Sequence, residues 1–222
     1  MLKPKVWFDA LRVRWALKMY PVYSPPNMRN EIELPIGMAK ENFNYFQTNL
    51  ASRQTSFRTF MKTFAIDATT EDRGLVAVSE WFNRFGGLLL YYKPRSATTL
   101  RAFVNYDPPW IGRHIGINVV WDLGTYIGNC IIARRASAHW DLNTGDPDPM
   151  SCSALGFHRP QVAGLYWPTE CDPVTKVFLD SQLLRHHVRL GPSPFFPRRN
   201  LVYLVDLWSK PNPPNPETER AY

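Results

Sequence analysis

The sequence predicts an α+β fold in which helices pack around a long central helix and a small antiparallel sheet lies in the C-terminal half. The first observation is the segment Ile111 to Ser137, where apolar residues recur every four positions and cover most of a helical surface. Such a pattern is typical of a largely buried helix. The second is the change after Ala138, where short apolar runs alternate with turns such as NTGDPDP at 143–149. Helices followed by short strands favour the α+β class.

The first half of the chain is predicted to be helical wherever proline does not interrupt it. The N-terminal helix has Val6, Ala10, Leu11, Val13 and Leu17 on its inner face and Lys5, Arg12, Arg14 and Lys18 on its polar side. Its polar side is read as a solvated face, with an anionic contact as the alternative. The predicted elements are a helix over 6–20, a proline-rich stretch to Pro35, a helix over 38–64 with a break near Ser52 left open, and a helix over 69–85 ended by Gly86. Residues 88–92 are predicted to form a strand or the end of a helix. Residues 93–98 are predicted to interrupt that element.

The second half is predicted to mix short strands with two further segments. Asp172 and Pro173 are a good N-cap and first residue for a helix that reaches Leu184 or Leu190. The remaining elements are strands at 140–142, 154–157 and 161–167, and an apolar run at 201–208 that is either a strand or a buried helical turn. The chain therefore divides into an N-terminal helix and proline-rich arm (1–37), one α+β domain (38–208) and a proline-rich tail expected to be disordered (209–222).

Four glycines interrupt the central helix at positions where each costs on the order of 1 kcal/mol. Gly112 with Gly116, and Gly124 with Gly128, lie four residues apart. We expect them to permit close approach of another backbone. A membrane GxxxG dimer is the rival interpretation, but Arg113, His114, Asp122 and the Arg134-Arg135 end argue against lipid.

Composition excludes several classes of protein. The chain has 222 residues, 45% hydrophobic and 20% charged, which is the balance of a globular protein and not of a disordered one. We expect no membrane span and no secretory signal, because no apolar stretch is long enough. Cys130, Cys152 and Cys171 lack CxxC spacing, so we expect small buried thiols and a cytoplasmic protein.

Catalytic and metal-binding patterns are missing from the sequence. It contains no GxSxG, GxxxxGK[ST], HExxH or GxGxxG motif. The five histidines, at 114, 139, 158, 186 and 187, have no spacing typical of metal ligands. Asp141, Asp146 and Asp148 are explained by turn formation. We therefore expect no cofactor and no metal, and the balance favours a protein that is not an enzyme.

The strongest functional signal is the excess of basic residues, which gives a net charge of +7. Lys3 and Lys5 open a basic N-terminal region, and arginines flank two phenylalanines near the other end. The candidate partner-binding residues are Arg185, Arg189, Phe195, Phe196, Arg198 and Arg199. Buried aromatic residues and Arg are the usual anchors of protein interfaces, whereas interleaved basic and aromatic residues also bind single-stranded nucleic acid.

The stretch WDLGTYIGNCIIARRASAHW, residues 121–140, resembles a pattern of uncharacterised small bacterial domains. In those domains a leucine-glycine pair opens an apolar helix, a second glycine follows four residues later, and a tryptophan begins the next strand. The segments 64–85 and 161–184 are also similar, so the resemblance covers about residues 55–190. Some of these domains resemble immunity or accessory proteins encoded beside bacterial toxins, and none has an assigned catalytic site. Asn129 departs from the pattern, which has an acidic residue there.

These observations favour a non-enzymatic protein that binds another macromolecule. Its most concrete form is an immunity-like inhibitor that binds a partner protein through an aromatic patch rimmed by arginine. The alternatives are a basic nucleic-acid-binding protein and an enzyme of unfamiliar type. Retention of DNA or RNA that falls steeply with salt would indicate a nucleic-acid-binding protein. A deep pocket with His114 or His158 beside an acid would indicate an enzyme.

Overall fold

The computed structural model describes residues 4–90, 96–145, 156–165, 172–190 and 200–210. These residues form seven α-helices and one two-stranded antiparallel sheet, which confirms the predicted α+β class. The helices are α1 Pro4–Leu17, α2 Ile36–Lys62, α3 Asp72–Leu89, α4 Ser96–Asn105, α5 Gly116–Arg134, α6 Pro173–Leu190 and α7 Leu201–Ser209. The strands are β1 His139–Leu142 and β2 Pro160–Ala163, paired with Trp140 opposite Val162.

Helix α5 is the predicted central helix. Nearly all of its residues are buried, and it packs against α6, α2, α3, α7 and β2. It begins later than the sequence indicates because Gly112, with φ +54°, opens a 3₁₀ turn that ends at His114. The segment Gly112–Arg134 is long and apolar enough to cross a membrane, but 83% of its most apolar window is buried inside the fold. Its apolar surface therefore already has protein partners.

Two of the four glycines, Gly116 and Gly124, lie against the backbone of another element, which confirms the prediction for these two. A Cβ on Gly124 would lie 2.9 Å from the nitrogen of Val174 in α6, and a Cβ on Gly116 would lie 2.8 Å from the carbonyl carbon of Leu89 in α3. Gly128 faces the ring of Trp140, a side chain and not a backbone. Gly112 lies outside the helix, and a Cβ there would meet no atom within 4 Å.

Several sequence-based boundaries were wrong, and packing explains them. Helix α2 runs without a break through Ser52, the point that the sequence left open. Gly86 does not end α3, which continues to Leu89 because it crosses α6: a Cβ on Gly87 would lie 2.5 Å from the carbonyl carbon of Leu184. A helix, α4, occupies residues 96–105, beginning inside the predicted break.

The C-terminal half contains fewer strands than expected among the described residues. The strand predicted at 161–167 covers Pro160–Ala163, and 166–167 lie outside the described residues. Gly156 and Phe157 are not in a strand, and 154–155 are not described. The run at 201–208 is helix α7, with the Asn200 side chain accepting a hydrogen bond from the backbone nitrogen of Tyr203 at 3.0 Å. Helix α6 extends to Leu190, the longer of the two predicted ends.

The proline-rich arm, residues 18–35, is fixed to the core at its first end by buried polar contacts. The Tyr20 hydroxyl donates to Asp122 Oδ2 at 2.6 Å, and Arg53 donates to both carboxylate oxygens of Asp122. Arg53 also donates to the carbonyl of Pro21 at 2.8 Å. The backbone nitrogen of Tyr23 donates to Asn118 Oδ1 at 2.6 Å. The arm is therefore held by charge-assisted hydrogen bonds in addition to apolar packing.

A second buried cluster holds the other end of the arm. The Glu31 carboxylate pairs with Arg159 and accepts a hydrogen bond from the Tyr106 hydroxyl at 2.7 Å. Arg159 also donates to the carbonyl of Phe103 at 2.7 Å and lies over its ring at 4.0 Å. His158 Nδ1 lies 2.9 Å from the carbonyl oxygen of Glu31. The side chains of Glu31 and Arg159 are 5% and 1% exposed, so the charges depend on each other for solvation.

The arm makes stability depend on pH through Asp122. Burial raises the pKa of Asp122 to about 6, against the opposing effects of Arg53 and Tyr20. The folded state then holds the proton more tightly than the unfolded chain does, so this stabilisation is present below about pH 4 and is lost as the pH rises to about 6. We expect the free energy of unfolding of the natural protein, minus that of Asp122→Asn, to fall by up to about 3 kcal/mol across this range.

Urea unfolding of both proteins at half-unit steps from pH 4 to pH 7 measures this difference. Subtracting the variant removes the titration of the other carboxylates, because both proteins share them. A difference that rises with pH would mean that the attraction of Arg53 outweighs burial, and parallel curves would mean that Asp122 does not titrate in this range.

Candidate protein-binding surface

Helix α1 has an inner face and an exposed face, and both are apolar. Val13 and Leu17 are buried in the core, as the sequence predicts. On the other side a row of large apolar side chains faces solvent. This row, the α1 ridge, consists of Trp7, Phe8, Leu11, Trp15 and, just after the helix, Met19, with exposures of 51%, 65%, 41%, 68% and 92%. At 3.6 residues per turn these positions share about a third of the helix circumference.

Polar contacts fix α1 in place and leave the ridge uncovered. The carboxylate of Asp9 accepts two hydrogen bonds from Arg84 of α3, at 2.7 and 2.9 Å. Arg12 donates to the carbonyl of Thr63 at 2.9 Å, and its guanidinium lies 4.7 Å from the centre of the Phe64 ring. These contacts tie α1 to α3 and to the end of α2, so they determine which face of the helix points outward.

A groove lies on each side of the ridge. Groove A, about 820 Å³, separates α1 from the end of α3 and the start of α5, and its apolar lining includes Leu11, Trp15, Leu88 and Ile115. Groove B, about 420 Å³, separates the end of α1 and the start of the arm from α2, and its lining includes Trp15, Met19, Phe60 and three threonines. Trp15 lines both grooves, so the surface is a ridge with a furrow on each side.

Groove A has a positive electrostatic character. Arg14, Lys18 and Arg113 line it, and its described lining includes no carboxylate. Burial lowers the pKa of neighbouring His114, and the charge of Arg113 lowers it further. Helix α5 begins at Gly116 in the same groove, without a capping side chain or an acidic residue in its first turn. The positive end of its dipole therefore adds to the charges of Lys18 and Arg113.

The residues proposed from the sequence as partner contacts lie elsewhere. Arg185 is only 5% exposed, and its Nη1 donates to Thr99 Oγ1 at 3.2 Å, so it is part of the interior. Side chains of the other five candidates fall outside the described residues: Arg189, Phe195, Phe196, Arg198 and Arg199. Sequence reasoning also placed Leu11 on the inner face, whereas it belongs to the ridge. The sequence did contain a sign of the exposed row. The aromatic residues at 7, 8 and 15 lie on a different side of the helix from Val13 and Leu17.

The reactive side chains of the described residues are buried or separated. They include no group of three His, Cys, Asp or Glu residues that could hold a metal ion. Burial raises the pKa of the Cys130 thiol to about 11, in the direction the sequence predicts for a thiol in an apolar helix. Cys152 and Cys171 lie outside the described residues. His158 is buried against the arm, as described above.

Asn129, the departure from the resembled pattern, has a structural contact. Its Oδ1 accepts a hydrogen bond from the indole nitrogen of Trp140 at 2.9 Å. An amide oxygen at this position therefore joins α5 to β1, and a carboxylate oxygen could accept the same hydrogen bond.

Comparison of the chain with protein-family models, with curated proteins and with solved structures finds no match.

Proposed function

We propose that this protein acts by binding another protein, without catalysis, and that the α1 ridge is its docking surface. The observation that supports this proposal is the row of five exposed apolar side chains with cations beside it. Contiguous apolar surface on a folded protein marks interaction sites. Tryptophan and arginine are also the residues that most often contribute large binding energies at interfaces.

The most concrete form of this proposal is an immunity-like inhibitor of a toxin. In this role the ridge would insert into a concave surface of the partner and cover it, and the chain would need no reactive group. Resemblance to bacterial immunity and accessory proteins supports this form. The ridge favours a protein over nucleic acid, because all five of its exposed side chains are apolar and the cations lie beside them, in groove A.

Photo-cross-linking and affinity measurements test the proposal. A photoreactive residue at position 8, in cells of the native host, should cross-link one protein that the same residue at position 203 does not. With that partner purified, Phe8→Ala/Trp15→Ala should raise Kd at least 100-fold, because both side chains are anchors of the ridge. Tyr203→Ala is the matched control, since Tyr203 is an aromatic residue 58% exposed on α7, and it should leave Kd unchanged.

Three results would contradict the proposal. The first is equal loss of affinity in the ridge variant and the Tyr203 variant. The second is cross-linking at position 8 to nucleic acid, with retention that falls steeply with salt. The third is turnover of a substrate by the purified chain with Phe8→Ala/Trp15→Ala as active as the natural protein.

A further inference from the structure

We propose that groove A binds an acidic amphipathic helix of the partner protein, parallel or antiparallel to α1. This inference rests on the proposed function and adds the chemistry of the partner to it. It follows from the dimensions of the groove, the rigidity of its floor and the sign of its charge.

The dimensions of groove A fit a helix. The residues of α1 and its C-terminal end that line groove A run from Leu11 to Lys18, over about 10 Å at 1.5 Å per residue. A helical segment of that length and about 10 Å in diameter, sunk to half its depth, displaces about 400 Å³. The volume of groove A is about 820 Å³, which leaves room for this segment and its side chains. About two turns of a partner helix can therefore lie along α1 with the apolar face inward, which is the helix-in-groove mode of recognition.

The floor of groove A is preformed. Leu17, Leu88 and Leu89 are only 4–6% exposed and belong to the hydrophobic core. Gly116 brings the start of α5 against the backbone of Leu89, so the two walls meet without a gap that a side chain could fill. A floor built from core residues offers apolar contact without rearrangement, which reduces the entropy cost of binding.

The charge of groove A selects an acidic helix. Lys18 and Arg113 are exposed, and with Arg14 they line a groove whose described lining includes no carboxylate. An apolar helix edged with Glu would place carboxylates opposite these cations, whereas one edged with Lys would be repelled. The apolar floor of groove A therefore supplies contact area, and its cations supply specificity for an acidic partner.

The test uses three fluorescein-labelled helical peptides of 14 residues with the same leucine face. Their edge positions carry Glu, Gln or Lys. Fluorescence anisotropy with the full chain should give a Kd for the Glu peptide at least 10-fold lower than for the Gln peptide, and no binding of the Lys peptide. Lys18→Gln/Arg113→Gln should raise the Kd of the Glu peptide to that of the Gln peptide. Arg29→Gln/Lys40→Gln is the control, because it removes two exposed charges outside the groove A lining and should leave Kd unchanged.

Each alternative outcome has a defined meaning. Equal weakening by the control variant, or equal binding of the three peptides, would overturn the inference. Binding of the chain to vesicles of phosphatidylcholine and phosphatidylglycerol that depends on Lys18 and Arg113, without discrimination among peptides, would assign the surface to lipid and overturn it as well. If the peptides fail but the cross-linked partner still requires Phe8 and Trp15, the inference about groove A falls and the proposed function stands.

Discussion

Gly124→Ala should lower the free energy of unfolding by about 3 kcal/mol, although alanine is the better helix former. The new Cβ would lie 2.9 Å from the nitrogen of Val174 and 3.0 Å from the carbonyl oxygen of Pro173, and closer still to Val174 Cα. These atoms belong to the backbone at the start of α6, which cannot move aside as a flexible side chain can. We therefore expect α5 and α6 to be forced apart along one of the main contacts of the fold.

Gly37→Ala is the matched control for this prediction. Gly37 also lies in a helix, but a Cβ there would meet nothing within 4 Å. The same chemical change should then be neutral or stabilise by up to about 1 kcal/mol. Urea unfolding followed by circular dichroism measures both variants. Equal stabilities for Gly124→Ala and the natural protein would show that α6 can shift freely, which would contradict the close approach described here.

Glu31→Leu should destabilise the fold by about 3–5 kcal/mol, because it leaves the Arg159 guanidinium buried without its carboxylate. Arg159 is 1% exposed and is enclosed by Phe103, Trp121 and the arm. Removing both charges, in Glu31→Leu/Arg159→Met, should cost less than removing Glu31 alone. Asp107→Asn is the comparison, because Asp107 pairs with Arg101 at the surface, where both side chains are more than half exposed and the change should cost less than about 1 kcal/mol.

Thermal and urea unfolding of the natural protein and the three variants show whether the unpaired charge of Arg159 or lost packing causes the destabilisation. If the double variant is less stable than Glu31→Leu by the full cost of a second core substitution, then packing and not the unpaired charge explains the loss. If it recovers stability, the buried charge explains the loss and Glu31 has the role assigned here. The outcome also bears on the arm, since Glu31 fixes its far end.

Apolar periodicity was enough to predict the central helix, and the capping residues Asp172 and Pro173 were enough to predict where α6 begins. It failed where tertiary contacts override local pattern. Gly86 has the composition of a helix end, yet α3 continues because glycines are needed where α6 crosses it. The run LVYLV is rich in residues typical of strands, but Asn200 caps it as a helix. Helix α4 was missed because a proline and two threonines lie near its start, whereas its Ala102 and Phe103 are buried in the core.

The candidate surface was harder to predict than the fold. A helix with apolar residues on every side does not indicate which face is outward until its partners are known. Here Arg84 and Thr63 orient α1, and they lie 75 and 51 residues from their partners Asp9 and Arg12. The basic residues beside the ridge were visible in the sequence, but Arg113 of groove A comes from a distant segment. Only the folded chain brings it beside Lys18.

Because Asp9 and Arg12 tie α1 to α3 and to the end of α2, and the chain directly after α1 is anchored at Tyr20, the helix cannot swing away from the core. The side chains that meet a partner are thus already ordered before the encounter, and this chain gives up little freedom when a complex forms. We expect association at the rate of ordinary rigid proteins, about 10⁵–10⁷ M⁻¹s⁻¹, and single-phase stopped-flow traces without a slow isomerisation. Losing the contact of Asp9 or of Arg12 should lower affinity by loosening the ridge in the unbound protein.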